Sequence, residues 1–228
     1  SLYVDISSFD CSNVGDNVVT LTATDVNGNT SSSTAIVKVS ETTAPIAITQ
    51  DLVLSLDENG QASITADDIN NGSTDNCSID SITIDNDTFD CSNIGDNVVT
   101  MTVTDTSGNE STAISVITIQ DTSAPVIVTQ DITVNLDANG EAIISIFDID
   151  AGITDNCSAI TTTLDIDTFT CSDIGDNVVN VTATDASGNE SSAIAIVTVT
   201  NDWEDIDNDN IPDNCDDEVF SDEDADGV

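Results

Sequence analysis

The 228-residue sequence has no histidine and a single basic side chain, Lys38, against 44 aspartates and glutamates, for a formal net charge of −43. Without Lys and Arg nothing can displace the counterions of a phosphate backbone, so nucleic acid is excluded as a partner. Attachment to an anionic membrane surface is disfavoured for the same reason. No apolar run approaches the ~20 residues that a membrane-spanning helix needs, so membrane insertion is not expected. The same absences bear on catalysis. Residues 41–200 hold no His, Lys or Arg, which removes base-activated nucleophiles and cationic oxyanion clamps built from those side chains. A carboxylate pair could in principle hydrolyse glycosides, but no pair stands out among so many loop acids. One Trp and one Tyr make a poor platform for stacking sugars. The chain therefore reads as non-enzymatic. It has no initiator Met or signal peptide and opens inside a strand-like segment, so it is read as a piece of a longer protein whose targeting signals lie elsewhere.

What is present is patterned. The hydrophobic fraction of 38% is enough to build cores despite the charge. The acid is uneven: residues 201–228 hold 13 Asp or Glu in 28 positions and residues 121–200 hold 13 in 80, which sets the tail apart. The chain is also repetitive. Cys11, Cys91 and Cys171 are 80 residues apart, as are Cys77 and Cys157. Residues 41–120 overlay 121–200 without a gap: STDNCS (73–78) answers ITDNCS (153–158), and VTDTSGNES (103–111) answers ATDASGNES (183–191). The organisation is a half repeat (1–40), two full repeats (41–120 and 121–200) and an acidic tail (201–228).

Inside each repeat the periodicity is two, the signature of strands. Ile132, Val134 and Leu136 alternate with Thr133 and Asn135. Beyond Asn139–Gly140, Ala142, Ile144 and Ile146 alternate with Ile143 and Ser145, which predicts a hairpin with one buried face. Val99, Met101 and Val103 alternate with threonines and lead through Asp105–Asn109 to a strand over 113–119. About seven short strands per repeat, without a long helix, predict an all-β fold of tandem immunoglobulin-like antiparallel sandwiches; a β-solenoid is the weaker competitor. Gly95 and Gly175 are expected to supply a permissive φ where the chain enters the next strand. Junctions such as QDTSAP (120–125) are too short to act as floppy linkers. With strands of ~10 residues along the axis, the array should form a semi-rigid rod adding on the order of 35–40 Å per repeat.

Two thiols per repeat and no His fall short of the four ligands that a zinc site takes. The 14-residue spacing suggests Cys77–Cys91 and Cys157–Cys171 bridges, each closing a loop worth ~3 kcal/mol, with buried free thiols as the alternative. Cys11 would then pair with a residue upstream of Ser1. Persistent disulfides imply an oxidising, extracellular location. Asp105 and Asn109, with Asp185 and Asn189, are expected to shape hairpin turns, with a secondary calcium role. Asp68, Asp75, Asp148 and Asp155 precede the cysteines and could ligate an ion, or be ordinary solvated loop acids. The tail offers the better calcium loop: Asp205, Asp207, Asp209, Ile211 through its carbonyl, Asp213 and Asp216, with Asp222, Asp224 and Asp226 restarting the spacing. Alternate residues on a turning backbone can converge the six to eight oxygens that Ca²⁺ requires. Without metal, like charge should hold this tail extended. Trp203 is expected to pack where the last sandwich meets it.

The repeat, with its TxAP start, TDNCS and CSxxGDNVVxxTxTDxSGN, resembles the hyalin-repeat (HYR) type of immunoglobulin-like domain. It looks especially like the tandem copies in very large surface adhesins of gliding Bacteroidota, including the SprB-like gliding-motility adhesins. The tail resembles thrombospondin type 3 calcium repeats, matched at Asp205, Asp207, Asp209, Asp213 and Cys215. Cys215 departs from that pattern, having no neighbouring cysteine, so its bonding state stays open. Together the two resemblances cover the chain. They imply a stalk on the surface of a Gram-negative bacterium, secreted by the type 9 system. They also imply Ca²⁺ as cofactor, a surface or glycan ligand, and contact with outer-membrane secretion or motility machinery through regions outside this sequence. The alternative function is a set of spacer domains in a secreted enzyme.

Overall fold

In the computed structural model the described residues are 1–157, 160–203, 212, 214 and 215. Seventeen strands make up nearly all of their regular structure. In order they are β1 (Leu2–Val4), β2 (Gly15–Thr24), β3 (Thr30–Val39), β4 (Leu52–Ser55), β5 (Gln61–Ser63), β6 (Ile79–Ile84), β7 (Thr88–Asp90), β8 (Gly95–Asp105), β9 (Glu110–Gln120), β10 (Val126–Thr129), β11 (Ile132–Asn135), β12 (Glu141–Ile143), β13 (Asp150–Thr154), β14 (Ile160–Leu164), β15 (Thr168–Thr170), β16 (Gly175–Asp185) and β17 (Glu190–Thr200). Among the described residues the only helices are one-turn pieces: α1 (Ala66–Ile69), α2 (Ile146–Ile149) and 3₁₀ turns opening at Cys11, Cys91 and Cys171. None of the described helices is long and apolar enough to cross a membrane.

The chain forms two compact units. One comprises Ser1–Leu54, Ser63–Phe89 and Gly95–Ile119; the other comprises Ser55–Ala62, Asp90–Ile94 and Gln120–Val228. In the first, the three-stranded sheet β1-β2-β3 is followed by the four-stranded order β4-β9-β8-β6. In the second, the order β11-β17-β16-β14 repeats that topology, with β10-β13 and β12-β15 as two-stranded partners. The fold is all-β, a tandem of immunoglobulin-like sandwiches. Most pairing is antiparallel, and β16 runs against β17 from Gly175↔Val199 to Thr184↔Glu190.

One expectation about pairing needs correction. Strand β11 does not form a hairpin with β12. It pairs in parallel with β17 (Ile132↔Val197 to Asn135↔Thr200), whereas β12 pairs with β15. The turn between them is real: Asp137 Oδ1 accepts the N–H groups of Asn139 (2.8 Å) and Glu141 (3.1 Å), and Gly140 takes φ +71°. It is a corner that carries the chain from one sheet to another. Alternation fixes which face of a strand is buried but not which strand lies beside it. The β11·β17 pair is a parallel edge within an otherwise antiparallel sheet.

The core of the second unit is Leu136, Ile144, Ile149, Phe169, Val179, Val181, Ala195, Val197 and Val199, closed by Ala142. Each long strand contributes alternate residues, as a pleat requires. In the first unit the equivalent positions Val99, Met101, Val103, Ile117 and Ile119 are equally buried. The pattern runs one step past the apolar residues. Asp105 and Asp185 close β8 and β16 on the inward face, and Asp121 continues the buried alternation of Ser115, Ile117 and Ile119. Three carboxylates thus fall at positions where a strand normally places Val or Ile.

Candidate functional site

The second unit gathers three of its acids. Asp121, Asp155 and Asp185 bring carboxylate oxygens within 4.8 Å of one another, the one such group of three among the described residues. Asp121 and Asp185 are only 6% and 7% exposed. Each is held by local hydrogen bonds. Asn189 donates its N–H to Asp185 Oδ1 (2.8 Å) and its side-chain amide to Oδ2 (2.7 Å), and the same Nδ2 also reaches the Asp121 carbonyl (3.1 Å). Asp121 Oδ1 accepts from Ser123 N–H (3.1 Å), and Asp155 Oδ2 from Cys157 N–H (2.9 Å). The Asp155 Oδ1 atom, in contrast, is buried with no hydrogen-bond partner. The chain's single basic residue, Lys38, belongs to the other unit. Three clustered carboxylates with an orphaned, dehydrated oxygen and no cationic side chain offer oxygen donors of the kind a hard divalent cation takes. The residues fit calcium.

The corresponding residues one period earlier are Glu41, Asp75 and Asp105. Here Asn109 donates its amide both to Glu41 Oε2 and to Asp105 Oδ2 (2.7 Å each), and Asp75 Oδ1 is again buried and unpartnered. Burial pushes the Asp105 carboxyl upward, but the Asn109 side chain and N–H, the Glu41 side chain and Ser107 N–H outweigh it and hold the group at about 2. For Asp185 burial also acts upward, and the two Asn189 bonds again win, keeping it below the ordinary carboxylate range.

The remaining candidate ligands lie elsewhere. Asp68 and Asp148 cap α1 and α2: Asp68 Oδ2 accepts from the N–H and hydroxyl of Thr65 (2.7 Å each), and Asp148 Oδ2 does the same for Ser145 (2.7 and 2.8 Å). Asp205, Asp207, Asp209, Ile211, Asp213, Asp216, Asp222, Asp224 and Asp226 lie outside the described residues. Asp121 and Glu41 were missed by the sequence reading. Their signal was positional, as the next inward step after a buried alternating strand.

The disulfides differ from the sequence expectation. They are Cys11–Cys77, Cys91–Cys157 and Cys171–Cys215, with Cα–Cα distances of 5.3, 5.4 and 5.6 Å, and none of the six cysteines is free. Cys77–Cys91 and Cys157–Cys171 are not bonded, Cys11 needs no upstream partner, and Cys215 is not alone. The reason is strand geometry. Cys157 stands three residues before Ile160, which pairs with Asp185 at one end of β16; Cys171 stands four residues before Gly175, at the other end. Eleven strand residues span about 36 Å, far beyond the ~7 Å Cα limit of a disulfide. In the preceding repeat β6 runs along β8 in the same direction, with Ile84↔Met101 answering Leu164↔Val181 and a one-residue register shift between Ile79 and Ser81. Each 3₁₀-turn cysteine is therefore bridged to the Asn-Cys pair of the next module in sequence.

That bridge sits in a shaped socket. Asn156 donates its amide to the Asp57 carbonyl (3.0 Å), and Cys91 Sγ lies 3.8 Å from the Gly60 carbonyl and 3.5 Å from that of Asn156. In the tail, Asn214 donates to the Asp137 carbonyl (2.7 Å), and Cys171 Sγ lies 3.7 Å from the Gly140 carbonyl and 4.0 Å from that of Asn214. The tail's Asp-Asn-Cys (213–215) thus occupies, through Asn214 and Cys215, the seat that Asn156 and Cys157 take one repeat earlier. Glycine is required in the turn, because a Cβ at Gly140 would fall 2.7 Å from Asn214 O and 2.8 Å from Cys171 Sγ. Trp203 adds a further tie, donating its indole N–H to the Leu136 carbonyl (3.2 Å).

No family model matches the chain, and no curated protein matches it. Among solved structures, the EC1-4 fragment of PcdhgB3 is 15% identical over 86% of this chain and 59% of its own, with a TM-score of 0.37. Drosophila N-cadherin EC1-4 is 16% identical over 82% and 58%, TM-score 0.37. A three-Ig fragment of titin is 10% identical over 81% and 75%, TM-score 0.40. The chain spans about three-fifths of the length of those two cadherin fragments. No ligand or partner follows from likeness at this level.

Proposed function

We propose that this chain is part of the stalk of a repetitive cell-surface adhesin, a non-catalytic series of sandwiches that holds a binding region away from the cell. The observation that carries the reading is the disulfide register, in which each 3₁₀-turn cysteine is bonded to the next module rather than within its own. Spacer domains in a secreted enzyme carry no sustained pull, whereas a stalk under drag gains from covalent links between successive modules. The disulfides also favour an oxidising, extracellular setting. Calcium at Asp121, Asp155 and Asp185, and at the tail acids, would neutralise buried and crowded charge and stiffen the array. Surface or glycan adhesion, gliding motility, type 9 secretion and a Gram-negative host belong to the same proposal and rest on the repeat and tail motifs. Small-angle scattering in calcium and in chelator tests it. A rod-like profile in calcium, with a cross-section that stays constant and a maximum dimension that changes in chelator, is expected. A compact profile insensitive to calcium would overturn it.

A further inference from the structure

We propose that the three disulfides form a tension bypass that removes the sandwich cores from the mechanical load path of the chain. Load entering at Cys11 crosses to Cys77, follows residues 78–90, crosses from Cys91 to Cys157, follows residues 158–170 and crosses from Cys171 to Cys215. The bridges short-circuit sequence separations of 66, 66 and 44 residues. Only two spans of 14 peptide bonds, Cys77 to Cys91 and Cys157 to Cys171, remain in line. Among the twenty described buried apolar residues, all but Phe89 and Phe169 lie in the bypassed loops. The long β8–β9 and β16–β17 hairpins are bypassed as well, so pulling on the chain does not peel them.

The in-line spans have little slack. Fourteen residues reach at most about 49 Å when fully extended. The Cys157–Cys171 span already covers roughly the ~36 Å length of β16, and includes β14, itself an extended strand. Mechanical unfolding can therefore release only on the order of 10–15 Å per repeat. An 80-residue repeat without bridges would release about 240 Å. The bypass cuts extensibility more than tenfold, and a motor or shear force is transmitted without unfolding the modules. Its use as a safeguard rests on the stalk reading; the bypass itself rests on covalent connectivity alone.

Single-molecule stretching of the intact chain, tethered at its termini, decides the matter. Under oxidising conditions the expected curve shows no unfolding step longer than about 20 Å between Cys11 and Cys215. Adding a dithiol, which is oxidised to its cyclic disulfide as each S–S becomes two thiols, should restore steps above about 200 Å. The Cys91→Ser/Cys157→Ser variant should add one release of about 230 Å, from 66 residues returned to the load path; if that variant does not fold, in situ reduction of the tethered wild type makes the same test. Steps above 200 Å in the oxidised wild type would refute the bypass. A compact scattering profile would instead sink the stalk reading and leave the bypass standing.

Discussion

Asp155→Asn is the most informative perturbation of the carboxylate cluster. It removes one charge while an amide oxygen can still accept the Cys157 N–H that Asp155 Oδ2 accepts now. At separations within 4.8 Å, each like-charge pair costs about 3 kcal/mol at an effective dielectric near 20. Asp155 takes part in two such pairs. In chelator, the variant should therefore melt above the wild type, an unusual sign for a substitution in a half-buried position. In calcium the order should reverse. At a hundredfold excess over Kd, a cation that binds only the folded state stabilises by about 2.7 kcal/mol, equivalent to about 5–10 °C in Tm for a chain of this size. The wild type should show that rise and the variant little of it. Calorimetry of both proteins in both buffers gives four melting temperatures. The cation site is refuted if the wild type melts identically with and without calcium, or if the variant is the less stable protein in chelator.

Three further outcomes follow from the same geometry. Cys91→Ser/Cys157→Ser opens a 66-residue loop and should cost about 4 kcal/mol in denaturant titrations, against ~3 for a 14-residue loop; an unchanged midpoint would contradict the pairing. Gly140→Ala forces a Cβ against Asn214 O and Cys171 Sγ at φ +71° and should cost about 1–3 kcal/mol, with free thiol appearing at Cys171 and Cys215 by maleimide labelling. Gly28→Ala, at φ +89° but with nothing within 4 Å, should leave the disulfides intact. The folded Asp105 carboxyl is held at about 2, below its ordinary 3.8, so its stabilisation is present above pH 4 and is lost as pH falls toward 2. The stability gap between wild type and Asp105→Asn should close over that window, and a gap that widens on acidification would contradict the assignment.

How far the sequence alone leads differs from element to element. The buried alternation of Val99, Met101 and Val103 and the Asp105–Asn109 turn are local patterns, and each appears where expected: Asp105 Oδ1 accepts from Ser107 and Asn109 (2.8 and 2.7 Å). Gly95 and Gly175 do take positive φ, +107° and +113°. Pairing is a different matter. Nothing local distinguishes β12 from β17 as the neighbour of β11, because both present an apolar face. The 14-residue cysteine spacing misled for a related reason. A short sequence separation means proximity only when the chain turns back, and Ile160–Leu164 instead runs straight along β16. Asp155 and Asp185 were visible as candidates, but their partner Asp121 became apparent only when the inward face was counted one residue past the end of β9.

The most direct test of this account is the location of the disulfides. The chain has one Lys and no Arg, so trypsin is uninformative, and digestion at Asp under non-reducing conditions followed by mass spectrometry is the suitable measurement; Asp80, Asp85, Asp165 and Asp167 separate the cysteines of each 14-residue pair. The predicted result is three linked peptide pairs, Cys11 with Cys77, Cys91 with Cys157 and Cys171 with Cys215. Recovery of Cys77 linked to Cys91 and Cys157 linked to Cys171, with Cys11 and Cys215 as free thiols, would contradict it.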